Sequence, residues 1–397
     1  MSQTSSPAHL AVALDGAGWH PGAWRAPGAR PAELLQPGYW TDLLAEAERG
    51  LLDLVTIEDS LLPQSEAPLR ADERTDRVRG RLDAVLVAAR VAPTTSRIGI
   101  VPVVTTAHTE PFHVSTGIAT LDVVSCGRAG YQVRTGGRGG EARLFGRRPE
   151  LDADVADPPS SPLVADLFEE AADHVEVVRR LWDSWEDDAV VRDAATGRFV
   201  DREKLHHVDF AGRWFSVRGP SITPRPPQGQ PVVAALAHVG PAYRLAARQA
   251  DVVFTTPLGE DGPARVLADV RAAEDAAGRG GHPLLVFADL LVVLGEDAPD
   301  ALRRKESLDA LAGAGPTSDA AVVAGGPAEL ADAVERLLGA GFAGVRLRPA
   351  ALPHDLTAVT GLLVPELQRR GLFRREYAES TLRERLGLPR PANRYAA

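Results

Sequence analysis

Cysteine is almost missing from this chain of 397 residues: Cys126 is the only one. A single thiol excludes an internal disulfide framework and any zinc site built on cysteine. No apolar run approaches the roughly 18 residues of a membrane-spanning helix. Residues 1–8 lack a basic start and an apolar core, so they do not read as a signal peptide. Basic residues are outnumbered 44 to 54, which leaves a net charge of −10. A general nucleic-acid binder needs clustered cations instead. Lysine is scarce too: Lys204 is the only one between residues 150 and 300. These absences predict a cytoplasmic protein with no nucleic-acid or membrane partner.

What is present is an ordinary globular balance, 44% hydrophobic and 25% charged, which excludes a disordered chain, a collagen and a coiled coil. Apolar strand-like runs alternate with amphipathic stretches of helical period. Strands are expected at 10–14, 52–57, 98–104, 129–134, 232–236, 252–255, 284–294 and 344–347. Helices are expected over 39–49, 79–91, 163–185, 327–338 and 356–369, with further helices opening at Glu110-Pro111 and running up to Gln249. Proline in a first turn and glycine past a last turn mark several boundaries. Eight strand–helix units imply a mainly parallel sheet with crossover helices. The expected fold is an α/β (β/α)8 TIM barrel with insertions after strand 4 and before strand 5 and a C-terminal extension. A doubly wound open sheet is the competing arrangement. The expected organisation is a disordered N-terminus over 1–8 and one barrel domain over 9–370. Insertions fall at about 137–162 and 187–230, and a C-terminal arm over 371–397 packs on the barrel or on a partner subunit.

Ligands of such a barrel sit at the C-terminal strand ends. Those ends carry Asp15, Trp19, His20, Trp24, Glu58, Asp59, Thr105, Thr106, Gln132, Arg134, His238, Arg346 and Arg348. This polar set with aromatics on one side suits a flat ligand with polar edges better than a metal. The histidines lack the four-residue helical spacing of a ligand pair, so no metal is expected. The run Gly136-Gly137-Arg138-Gly139-Gly140 has neither a P-loop lysine nor dinucleotide spacing; it reads as a loop, with a phosphate nest as the alternative. Trp24 and Trp19 serve equally as core or as substrate wall.

Several stretches in chain order resemble the luciferase-like flavin-dependent monooxygenases, in the nitrilotriacetate and dibenzothiophene-sulfone branch. They are Trp19-His20-Pro21-Gly22-Ala23-Trp24-Arg25, Ala47-Glu48-Arg49-Gly50, Gly127-Arg128-Ala129-Gly130 and Val175-Glu176-Val177-Val178. Most specific is the tail, with Val364-Pro365-Glu366-Leu367 and later Gly387-Leu388-Pro389-Arg390-Pro391. The resemblance implies a barrel enzyme that uses reduced FMN, delivered by a separate flavin reductase, and O2 to oxygenate a small organic substrate. It also implies a homodimer or tetramer. Carried over by position, the cofactor-binding residues are Asp59, Thr105, Thr106, Gln132, Phe168, His238 and Val239, and the substrate pocket holds Trp19, His20 and Trp24. No catalytic residue is implied. Tyr131-Gln132 stand where the family usually has Trp-Asn, Val164 and Phe168 where it has His and Tyr, and His238-Val239 where it has a phosphate-gripping Ser pair. Two alternatives follow from these departures: a deazaflavin-dependent oxidoreductase, and a relative that has lost its cofactor and acts as a binding partner.

Overall fold

The computed structural model describes residues 8–64, 73–136, 140–146 and 161–396. Its strands are β1 (His9–Leu14), β2 (Leu54–Ile57), β3 (Gly99–Thr105) and β4 (Gly130–Arg134), then two short hairpins, β5–β6 (Val190–Asp193, Arg198–Val200) and β7–β8 (Phe210–Ala211, Ser216–Val217). There follow β9 (Val232–Leu236), β10 (Val252–Thr255), β11 (Leu285–Leu294), β12 (Ala321–Gly325) and β13 (Gly344–Pro349). The main sheet runs β10-β9-β4-β3-β2-β1-β13-β11, and a β10–β11 pairing closes it into an eight-stranded parallel barrel. This is the (β/α)8 barrel expected from the strand rhythm.

The length of β11 has a topological cause. Its first residues, Leu285 to Ala288, pair with Val252 to Thr255 of β10, and Leu290 to Leu294 pair with Ala321 to Gly325 of β12. One strand therefore serves two neighbours on the same side, and β12 is a ninth strand added above the barrel seam. Neither β12 nor the helices Gly262–Ala276 and Ala298–Ala312 figured in the strand rhythm. The helix expected over 79–91 starts only at Ala84, because Asp83 caps it by accepting the Leu86 amide at 2.8 Å. Gly50 follows the helix Pro37–Arg49, but the left-handed residue is Leu51, at φ 60°. Glycine is needed at 50 for room: a Cβ there would lie 2.3 Å from the Thr360 side chain.

The barrel strands are buried along nearly their whole length, as parallel strands covered on the outside by helices must be. Their outer faces join the helices in the largest apolar cluster. The lower lumen is filled by Ala11, Leu54, Val101, Val232, Phe254 and Phe287, and Leu382, Leu386 and Leu388 of the C-terminal segment close it from below. Polar clamps hold that segment: the Arg383 amide donates to Gln228 Oε1 at 2.9 Å, and Arg385 Nη1 donates to the Asp53 carbonyl at 3.1 Å.

At the other end, Ala8 is buried and its amide donates to the Leu372 carbonyl at 2.8 Å. The rest of the N-terminus expected to be disordered, residues 1–7, lies outside the described residues, as does most of the insertion at 137–162. The stretch 187–230 carries the two hairpins. No helix among the described residues is long and apolar enough to cross a membrane.

Candidate active site

The upper lumen is polar, and strand alternation decides why. Val345 and Leu347 of β13 belong to the cluster under the helices, so Arg346 and Arg348 point inward. Both guanidiniums are buried and converge on Asp289 of β11, which is wholly buried. Arg346 Nε and Nη2 donate to its two carboxylate oxygens at 2.8 and 2.5 Å, and Arg348 Nε donates at 2.9 Å. Arg346 also donates to Gln132 Oε1 at 2.6 Å and Thr56 Oγ1 at 3.3 Å. Its guanidinium lies 3.9 Å from the Phe254 ring centre, over the top of the apolar lumen, and Arg348 lies 4.7 Å from that of Trp19. Cation–π contact of this kind gains strength where water is excluded.

Above this layer a cavity of about 460 Å³ opens at the C-terminal strand ends. Its apolar wall is Phe168, Leu236, Val239, Ala242 and Leu245, and its polar wall includes Asp15, Glu58, Asp59, Arg81, Gln132, Arg134, His238 and Asp319. Arg81 Nη2 meets Asp15 at 2.8 Å. Arg348 Nη1 meets Asp319 at 2.5 Å, and His238 Nδ1 lies 3.9 Å from the same carboxylate. Burial drives the Asp319 carboxyl upward, but Arg348 outweighs it and holds the group below the usual range. Glu58 shows the opposite balance: burial lifts its carboxyl above the usual range, against the pull of Arg346 and with help from Asp15.

Six of the expected site residues come together here: Asp59, Gln132, Phe168, His238, Val239 and Trp19 all line the cavity. Asp59 is partly committed elsewhere, since its oxygens accept the Ser60 amide at 2.6 Å and the Ala84 amide at 2.9 Å. Four others do not line it. Thr105 is buried, and Thr106 Oγ1 donates to the Arg134 carbonyl at 3.2 Å. Trp24 Nε1 donates to the Asp76 carbonyl. His20 is buried, with Nε2 3.0 Å from Asp309 and Nδ1 accepting the Gly22 amide; burial lowers its pKa against the pull of Asp309. His20 and Trp24 thus brace the mouth loop. Asp289, Arg81 and Asp319 had no assigned role in the sequence. Asp289 left a signal, a lone acid inside the apolar run of β11. Arg81 and Asp319 come from loops and left none.

Residues 19–352 match the family described as luciferase-like monooxygenase. The chain is similar to nitrilotriacetate monooxygenase component A of Aminobacter aminovorans, with 31% identity over 449 residues and 96% of each chain covered. It is also similar to the dibenzothiophene-sulfone monooxygenase of Rhodococcus erythropolis, with 29% identity over 93% of this chain and 94% of the relative. The fold matches the crystal structure of long-chain alkane monooxygenase with a TM-score of 0.85, at 23% identity over 97% of this chain and 96% of that one.

Proposed function

The chain belongs to the luciferase-like monooxygenase family, and from that footing we propose that the cavity at the strand ends holds reduced FMN and oxygenates a small organic molecule beside it. The observation that carries this reading is the two-sided cavity. One wall is apolar and suits the face of a flat ring; the other presents hydrogen-bonding groups to its edge. Gln132 and Arg134 supply polar contacts. Arg134 Nη1 donates to the Asp59 carbonyl at 2.7 Å, while its other end stands 3.7 Å from Glu141, which leaves donors for a guest. The flavin phosphate would be held by His238 and by the backbone amides of Gly240 and Ala242, at the N-terminus of the helix Gly240–Gln249. These residues fit the cofactor even though the hydroxyl pair usual at His238-Val239 is absent.

Reduced FMN supplies two electrons; one oxygen atom of O2 enters the substrate and the other leaves as water. The protein's part is to bind, orient and keep bulk water out. Trp19, packed on Arg348 at the mouth, forms one boundary of the substrate space. A separate reductase in the cytoplasm would deliver the flavin. Leu86, Val123 and Val124 lie exposed on the neighbouring helices Ala84–Val91 and Pro111–Val124. Exposed apolar side chains of this kind support a homodimer.

The test is a titration of the purified protein with reduced FMN, oxidised FMN and a deazaflavin, read by fluorescence and calorimetry. Saturable binding of reduced FMN, with O2-dependent turnover when a reductase is added, is expected. Selective binding of the deazaflavin, or no binding of any of the three at millimolar concentration, would overturn the reading.

A further inference from the structure

Two acidic residues end β2, and the fold uses them differently. Asp59 accepts backbone amides from Ser60 and Ala84, so it closes the turn and ties down the start of the next helix. Glu58, one residue earlier, lines the cavity with a side chain 15% exposed. Its Oε1 is buried and has no hydrogen-bond partner among the described residues. The facing cation is Arg346, whose Nη1 stands 3.6 Å away, beyond good hydrogen-bond reach. That guanidinium is already engaged by Asp289, Gln132 and Thr56. An unpaired carboxyl in a cavity wall is costly unless something that binds there completes it.

We propose that Glu58 is the ligand-facing acid of this cavity, and that its carboxyl proton makes a hydrogen bond to an acceptor atom on the edge of the bound flavin. This rests on the FMN reading given above. Asp15 at the end of β1, Arg346 and Arg348 on β13 and Arg81 from the loop between β2 and the helix Ala84–Val91 all face the carboxyl. The two β13 cations are neutralised by Asp289 and Asp319, and Arg81 by Asp15. The local charge therefore does little to force ionisation, and burial raises the carboxyl above its ordinary range. A neutral carboxylic acid donates a hydrogen bond, which a carboxylate cannot do.

The experiment compares wild type with Glu58→Gln and Glu58→Ala, all checked for native circular dichroism. Binding of oxidised FMN is measured by fluorescence from about pH 5 to about pH 9, where an ordinary carboxyl has already ionised. Wild-type affinity should fall as pH rises through the Glu58 titration. Glu58→Gln, neutral at every pH and still a donor, should lose that dependence and keep the low-pH affinity. Glu58→Ala should bind about five-fold more weakly at low pH, the loss of one neutral hydrogen bond. His238 and Asp319 share the cavity in all three proteins, so the Glu58→Gln comparison isolates the part due to Glu58. A second readout needs no ligand: the infrared difference between wild type and Glu58→Gln at about pH 6 should contain the C=O stretch of a protonated carboxylic acid, outside the range of an unperturbed glutamate. FMN binding with the same pH profile in all three proteins, or an infrared difference showing only carboxylate bands, overturns the proposal and leaves the flavin reading standing. Failure of every form to bind either oxidised or reduced FMN overturns both.

Discussion

Replacing Asp289 by Asn would leave two buried guanidiniums facing one neutral amide. Arg348 keeps Asp319 at 2.5 Å, so the loss falls mainly on Arg346, which is 1% exposed and, among the described residues, has no second carboxylate within hydrogen-bond reach. Two unit charges about 4 Å apart attract by about 4 kcal/mol at an effective dielectric constant of about 20. Breaking one side of a buried ion pair costs about 3–5 kcal/mol by experience with other proteins. Both routes give the same size of effect, and Asp289→Asn should lower unfolding stability by about 3–5 kcal/mol. Urea unfolding followed by tryptophan fluorescence would read this as a lower midpoint at an unchanged slope. Adding Arg346→Leu to Asp289→Asn should recover part of the loss, because it removes the charge left behind; the double-mutant cycle should therefore be strongly non-additive. A loss below about 1 kcal/mol, or simple additivity, would refute the view that this clamp holds the top of the lumen together.

Asp251 is buried and accepts Arg179 Nη2 at 2.9 Å and the Val233 amide at 2.9 Å. Burial pushes its carboxyl up, and Arg179 and Arg383 overcome this and hold it down at about 2. Its contribution to stability is therefore complete above the unfolded value, about pH 4, and is lost as pH falls through about 2. Asp251→Asn should cost about 2 kcal/mol at neutral pH and flatten the acid limb of the stability curve, measured by urea unfolding at a series of pH values. Gly18 has φ +126°, and a Cβ there would lie 2.4 Å from the Ala350 carbonyl oxygen. Gly18→Ala should displace the loop that carries Trp19 and weaken ligand binding at least several-fold, as read by flavin titration. Leu382→Ala removes a fully buried side chain from the barrel floor and should cost about 2–5 kcal/mol, seen as a lowered thermal midpoint.

The sequence narrowed the fold to a parallel α/β arrangement, with the eight-unit barrel ahead of an open sheet. Period-two and fully apolar runs alternating with helical stretches leave few architectures, because a parallel strand must be covered on both faces. It also determined which end carries the chemistry, since the residues just after each strand stand at the mouth whatever the loops do. Asp59, His238, Val239 and, further along its loop, Trp19 reach the cavity for that reason, whereas Gln132 does so from within β4 and Phe168 from the helix Pro162–Asp183. Which side chains remain available there depends on contacts made across the folded chain. Thr105 ends β3 and Thr106 follows it, yet Thr106 is used by the Arg134 backbone. Asp59 and Glu58 are neighbours in sequence, but one caps backbone amides while the other keeps an unpaired oxygen. The clamp of Arg346, Arg348 and Asp289 joins residues 57 and 59 positions apart. No local pattern encodes such a pairing. It comes from the β11–β13 register, which sets Asp289 opposite Arg346, and from the low dielectric of the lumen, which makes that pairing obligatory.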